Sequence, residues 1–198
     1  MTLEYKYVDW NQVYELCLQL YQQVRKAGFS PDLVVGVARG GWVPARIIAD
    51  FFITQQTANV KVEFYQDLFE TEEHASITQP VSGEPRWKNV LVVDDIADSG
   101  ESLKITVEHI ERHKVSRLQT ACLHVKPWTD PVPNFYVKKT DVWVIYPWEV
   151  KEFTFSFAAQ LHSKNVEYSE IESELLKIGL PTQPAKDFLK EWKTFKEM

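Results

Sequence analysis

Apolar positions along the chain switch between two periods. Trp10, Val13, Cys17, Leu20, Tyr21 and Val24 recur at helical spacing, with Asp9 placed as an N-cap and Gly28 as a stop, which predicts an amphipathic helix. Residues 33–38 are apolar at every position, as a strand covered on both faces must be. Arg39-Gly40-Gly41 then reads as a tight loop and Val43 to Ile53 as a helix with Pro44 in its first turn. The order strand, loop, helix returns at Asn89 to Asp94, at Asp95 to Gly100, and in a helix from Glu101 to His113. Further strands are expected at Val60 to Tyr65, Leu118 to Val125 and Asp141 to Tyr146. The predicted fold class is α/β, with four or five strands in one mainly parallel sheet flanked by helices.

Two stretches depart from this alternation. The polar, acidic run between Tyr65 and Arg86 is too long for an ordinary connection, which predicts a flap or a small hairpin. After Trp148 the period becomes helical again, with Ser169 and Glu172 in capping-box spacing around Ile171, Leu175 and Leu176. Pro181 and Pro184 then precede a last helix to about Lys196. The expected organisation is a domain over 1–163 and a helical appendage over 164–198.

Composition narrows the setting. A chain of 198 residues, 44% apolar, can bury one sizeable core. No run approaches the roughly 18 uninterrupted apolar residues of a membrane span, and MTLEYKYVDW lacks the basic-then-apolar order of a secretory signal, so a cytoplasmic location is expected. Cys17 and Cys122 lie in apolar segments without CxxC spacing and read as buried thiols. Twenty-two Lys plus Arg against 28 Asp plus Glu give a net charge of −6, a field that repels nucleic acid and anionic membranes. Neither is expected as a partner, and any anionic ligand must be held by local geometry.

The segment Val92-Val93-Asp94-Asp95-Ile96-Ala97-Asp98-Ser99-Gly100-Glu101-Ser102 carries the densest chemistry. A buried strand delivers two adjacent carboxylates at its C-terminal end, where ligands of open α/β sheets bind, and a Ser/Gly turn then opens a helix. Backbone N–H groups of that helix start, with the Ser99 and Ser102 hydroxyls, suit phosphate oxygens, and Gly100 permits close approach. Carboxylates accept hydrogen bonds from sugar hydroxyls or hold magnesium, in part through water. A polar strand end and a helix cap would each explain one acid, but not three acids and a Ser-Gly turn on one junction.

This segment resembles the phosphoribosyl-pyrophosphate (PRPP) signature of type I phosphoribosyltransferases, two acids followed by D-[ST]-G-x-[ST], and the resemblance extends over about residues 30 to 150. The resemblance implies that family's fold, a twisted, mainly parallel sheet with a small hood over the C-terminal strand ends within the 1–163 domain. It implies PRPP contacts from Asp94, Asp95, Ala97, Asp98, Ser99, Gly100, Glu101 and Ser102, with Mg²⁺ at Asp94 and Asp95. Arg39-Gly40-Gly41 is similar to the family's pyrophosphate loop, in which a peptide bond is commonly cis. Lys126, followed by Pro127 and Trp128, and the run Trp143 to Glu149 are similar to the purine-binding elements of the xanthine-guanine and hypoxanthine-guanine branch. There the lysine donates to the 6-oxo group, the aromatic at Trp143 stacks on the ring, and main-chain groups near Val144 and Glu149 meet the 2-position.

The implied activity is Mg²⁺-dependent transfer of 5-phosphoribosyl from PRPP to N9 of a 6-oxopurine, with Asp98 as general acid/base near N7 and a homodimer as the assembly. Two alternatives stand beside it: a regulator that senses PRPP or purine without turnover, and a transferase for another base. The sequence departs from the family in its flap, where no Lys or Arg occurs between Tyr65 and Arg86 and Glu70, Glu72 and Glu73 lie instead. Tyr65, Arg86 and Lys88 remain to meet the pyrophosphate there. Glu149 stands where a shorter acid is common. His109 and His113, at i and i+4, lack the H-E-x-x-H pattern and read as a solvated helix face rather than a zinc site.

Overall fold

A computed structural model describes residues 4–66, 73–81, 89–113 and 115–197. In chain order the elements are β1 (Tyr5–Tyr7), α1 (Trp10–Lys26), β2 (Leu33–Ala38), α2 (Trp42–Phe51), β3 (Gln56–Gln66), β4 (Glu73–Gln79), β5 (Asn89–Ala97), α3 (Glu101–Glu111), β6 (Arg117–Val125), β7 (Phe135–Lys139), β8 (Trp143–Ile145), α4 (Val150–His162), α5 (Tyr168–Lys177) and α6 (Thr182–Glu197). They divide into a larger unit, Tyr14–Asp141, and a smaller one made of Met1–Val13 and Val142–Met198.

The larger unit is built on a six-stranded sheet in the order β4-β3-β2-β5-β6-β7, more strands than the apolar runs alone announce. Strands β3, β2, β5, β6 and β7 pair in parallel, and β4 returns antiparallel to β3 as the hairpin alternative for the acidic stretch. All six residues of β2 and Val90, Leu91, Val92 and Val93 of β5 are buried, which is why both read as unbroken apolar runs. Ala45, Ile48 and Ala49 are the buried face of α2, while Leu103 and Ile110 of α3 join the core of Val35, Val37, Val60, Val92 and Val125. Helix α2 approaches closely at Gly36, where a Cβ would lie 3.1 Å from Ala45 Cβ. It ends at Phe51, two residues short of expectation, because the chain turns out through Ile53 at φ 56°.

Helix α1 starts where the sequence places it. Gln12 N–H donates to Asp9 Oδ1 (2.8 Å) and Asp9 N–H to Gln12 Oε1 (2.9 Å), a reciprocal cap. Val13, Cys17, Leu20 and Val24 are fully buried, but Trp10 is exposed rather than on that apolar face. His109 has a structural partner: its Nε2 accepts from Val81 N–H (3.2 Å) just beyond β4, and burial, then the charges of His113 and Arg112, push its pKa down toward the neutral acceptor.

In the smaller unit β8 pairs in parallel with β1, with Tyr5 opposite Trp143, Lys6 opposite Val144 and Tyr7 opposite Ile145. The strand expected over Asp141 to Tyr146 therefore does not join the main sheet. Three residues at Tyr5–Tyr7 carry too little pattern to announce the partner that captures it. Ile145, Val150, Phe157, Ile171, Leu189 and Trp192 form one core across β8, α4, α5 and α6. Helix α5 begins from Glu167, whose backbone is extended and whose carbonyl accepts from Glu170 and Ile171 N–H, so Ser169 lies inside the first turn and forms no capping box.

Candidate active site

Strand β5 runs three residues past Asp94, because its parallel register with β6 continues through Ile96 opposite His124 and Ala97 opposite Val125. Asp94 and Asp95 are thus held in the sheet, 8% and 5% exposed. Each carboxylate takes a neighbouring amide: Asp95 N–H donates to Asp94 Oδ1 and Ile96 N–H to Asp95 Oδ1, both at 2.9 Å. Their negative charge is felt nearby. Burial first, then Asp94 and Asp95, push the Cys122 thiol well up, so it stays protonated and inert.

Residues 39–41 bring the second loop directly against this acid pair. A Cβ at Gly40 would overlap the Asp95 carboxylate, and one at Gly41 would lie 2.6 Å from both Val37 O and Val93 O and 2.9 Å from Asp94 Cα. These glycines are required by close approach, and neither has a positive φ. The Ala38–Arg39 peptide is cis, as in the loop that the resemblance implies, and Arg39 is exposed at its tip.

The turn into α3 supplies the anion-binding elements. Gly100 is the N-cap at φ 94°, a conformation that favours glycine, and a Cβ there would meet Asp130 O at 2.6 Å. Glu101 N–H donates to Ser99 Oγ (3.3 Å), while the Glu101 carboxylate accepts from Ala75 N–H of β4 (3.4 Å). Ser102 lies in the first helical turn, its carbonyl taken by the Thr106 hydroxyl at 2.7 Å. Asp98 and Ser99 are exposed at the turn.

A third segment, after β6, is tied to that turn. Lys126 N–H donates to Ala97 O (3.0 Å), Asp130 N–H donates to Ser99 O (2.9 Å), and the Thr129 hydroxyl lies 2.8 and 2.7 Å from the carbonyls of Ala97 and Asp98. The indole Nε1–H of Trp128 donates to Asp98 Oδ1 at 2.6 Å. Lys126 is only 6% exposed; its Nζ donates to Asp141 O (3.4 Å) and sits 5.7 Å from the Trp128 ring centroid. Burial pushes its ammonium below the usual lysine value, against the opposing charges of Asp98 and Asp141. The sequence placed Trp128 beside Lys126 without giving it a role and passed over Thr129, whose only signal was its place in a loop between Pro127 and Pro131.

In the smaller unit Trp143 is 49% exposed and its backbone N–H donates to Glu4 O (2.7 Å). Val144 is buried in β8, and Glu149 stands at the N-cap position of α4 without a side-chain cap bond; its N–H donates to Tyr146 O (3.0 Å) and its carboxylate accepts from Tyr146 N–H (3.4 Å). The structure thus brings Arg39, Gly40, Gly41, Asp94, Asp95 and residues 97–102 together with Lys126 in the larger unit, and describes Trp143, Val144 and Glu149 in the other. Glu70, Glu72, Arg86, Lys88 and the side chains of Tyr65 and Glu73 lie outside the described residues.

Adjacent buried carboxylates are hard oxygen donors and fit a divalent ion such as Mg²⁺, which takes one or two protein carboxylates and completes its shell from phosphates and water. Among the described residues no group of three or more His, Cys, Asp or Glu could hold a metal by itself. No helix among them is long and apolar enough to cross a membrane.

The sequence pattern of the phosphoribosyl transferase domain matches residues 6–160. A purine phosphoribosyltransferase of known structure from Pyrococcus horikoshii Ot3 is 33% identical and superposes with a TM-score of 0.66, over 74% of this chain and 94% of that one. The xanthine-guanine phosphoribosyltransferase of Gluconobacter oxydans (strain 621H) is 27% identical over 150 residues, 75% of this chain and 86% of its own length. The hypoxanthine-guanine phosphoribosyltransferase of Saccharomyces cerevisiae (strain ATCC 204508 / S288c) is 24% identical over 196 residues, 76% and 88% of the two chains.

Proposed function

The chain belongs to the phosphoribosyl transferase domain family, and from that membership we propose that it transfers 5-phosphoribosyl from PRPP to N9 of guanine, xanthine or hypoxanthine in purine salvage. The observation that carries the reading is the convergence in one unit of the acid pair Asp94-Asp95, the Gly40-Gly41 loop packed against it and the Ser-Gly turn that opens α3.

In this reading the 5-phosphate lies at the start of α3, where backbone N–H groups and the Ser99 and Ser102 hydroxyls donate to it. The ribose hydroxyls meet Asp94 and Asp95, which also hold Mg²⁺. Mg²⁺, when bound, supplies charge neutralisation of the diphosphate. Arg39 and the amides of its loop hold the pyrophosphate as the C1′–O bond breaks. N9 of the purine then bonds to C1′, and the proton on N7 passes to the Asp98 carboxylate, leaving nucleoside monophosphate and pyrophosphate.

Lys126 donates to the 6-oxo oxygen, selecting oxo over amino purines. By the family resemblance, Trp143 would stack on the purine ring, with main-chain groups near Val144 and Glu149 for the 2-position. The same proposal includes a homodimer acting in the cytoplasm on these small molecules, with neither nucleic acid nor membrane as partner. The test is incubation with PRPP, Mg²⁺ and each base singly, with products identified by mass. The proposal expects the monophosphates of the 6-oxopurines. Binding of PRPP without product from any base identifies a sensor instead.

A further inference from the structure

Trp128 is 57% exposed, an ordinary enough position for a surface aromatic, yet both of its functional parts are committed. Its only polar atom donates to Asp98 Oδ1 at 2.6 Å, and its ring faces the Lys126 ammonium 5.7 Å from the centroid. An indole N–H donates and never accepts, so its partner is held as an acceptor with one oxygen engaged. A cation against the indole face is attracted by the ring quadrupole. One side chain therefore touches both the acid assigned to the N7 proton and the cation assigned to the 6-oxo group.

We infer that Trp128 is a positioning residue for phosphoribosyl transfer: its indole N–H fixes the Asp98 carboxylate for proton transfer, and its ring seats Lys126 for recognition of the base. The inference rests on the proposed 6-oxopurine transferase reading and adds to it a residue that neither the resemblance nor the family match assigns. Holding the loop in place does not require this contact. Lys126 N–H on Ala97 O, Asp130 N–H on Ser99 O and the Thr129 hydroxyl on Ala97 O and Asp98 O already fasten the segment on both sides of Trp128. What those bonds leave unset is the side-chain torsion of Asp98, which is exposed and rotates unless something holds its carboxylate. With Oδ1 on the indole, the carboxylate plane is set and Oδ2 is the oxygen that takes the proton. Because proton transfer in the transition state requires a heavy-atom separation near a hydrogen bond, a loose carboxylate lowers turnover without weakening substrate binding.

The test separates the two parts of the side chain. Trp128→Phe keeps an aromatic face for Lys126 and removes the donor. It should lower kcat about 10- to 100-fold, the loss expected for a hydrogen bond to a charged group, with KM for PRPP and purine within about twofold of the parent. Trp128→Leu, which removes the ring as well, should show that loss and also raise the purine KM. In an Asp98→Asn background Trp128→Phe should cost no more than about twofold, because its effect passes through the carboxylate. A kcat for Trp128→Phe equal to that of the parent overturns the inference. So does an equal loss with and without Asp98, or a raised KM with kcat intact. A parent that turns over 6-oxopurines beside an unaffected Trp128→Phe removes the inference alone, whereas a parent inactive on every base removes the underlying reading with it.

Discussion

Alanine at Gly40 and at Gly41 should have different signatures, since the two added methyls meet different kinds of neighbour. At Gly41 the Cβ would lie 2.6 Å from two carbonyl oxygens, Val37 O and Val93 O, and 2.9 Å from Asp94 Cα, so β2 and β5 themselves must part. Overpacking costs about 1–3 kcal/mol, and because the three nearest atoms are all backbone this case lies at about 3 kcal/mol. For a chain of this length that is a Tm loss of about 6–12 °C. At Gly40 the atoms nearest the Cβ all belong to the Asp95 carboxylate, which can turn away at the expense of its bond from Ile96 N–H. Losing a hydrogen bond to a charged acceptor costs about 1.5 kcal/mol at the lower end, or about 3–6 °C in Tm. The same displacement would take Asp95 from the ribose hydroxyls it is proposed to bind, and should lower kcat/KM for PRPP at least about 10-fold. Thermal melts and PRPP titrations of both variants read this out, with Gly40→Ala repeated in an Asp95→Ala background, where it should cost nothing further. A Gly40→Ala protein with parental Tm and PRPP kinetics, or additivity with Asp95→Ala, refutes the packing of the two loops.

Three further outcomes follow from the site. Asp98→Asn should fold as the parent does and lose about 10²- to 10⁴-fold in kcat with PRPP affinity retained, measured by initial rates and calorimetry; turnover within about twofold of the parent removes its acid/base role. Lys126→Ala should lower kcat/KM for guanine, xanthine and hypoxanthine together by about 10- to 150-fold while adenine, poor with the parent, loses nothing more; unchanged 6-oxopurine kinetics break the assignment. Lys126→Met should raise Tm at pH 7, because burial lowers the lysine's folded pKa and its charge therefore opposes folding. That opposition is complete below the folded pKa and fades as pH rises toward the ordinary lysine value, so the gain in Tm should shrink through the alkaline range; a lower Tm at pH 7 contradicts it.

What the sequence makes legible is chemistry that adjacent residues share. Leu33–Ala38 with Arg39-Gly40-Gly41, and Val92 through Ser102, each carry strand, loop and helix start within a dozen positions, so the acid pair and both loops are readable from local order. Contacts made by strand pairing are not. The Trp128–Asp98 hydrogen bond joins residues 30 apart and exists because β5 and β6 stay in register to Ala97 and Val125. Likewise β8, three residues long, takes as partner β1, which lies far earlier in the sequence, a pairing on which alternation within either segment is silent.

The central claim is base-selective transfer from PRPP, and a competition reaction tests it most directly. Equimolar guanine, xanthine, hypoxanthine, adenine and orotate are offered with limiting PRPP and Mg²⁺, and nucleotides and pyrophosphate are quantified together. The account predicts that PRPP is consumed into 6-oxopurine monophosphates, one pyrophosphate for each nucleotide formed. Accumulation of the adenine or orotate nucleotide in their place would contradict it.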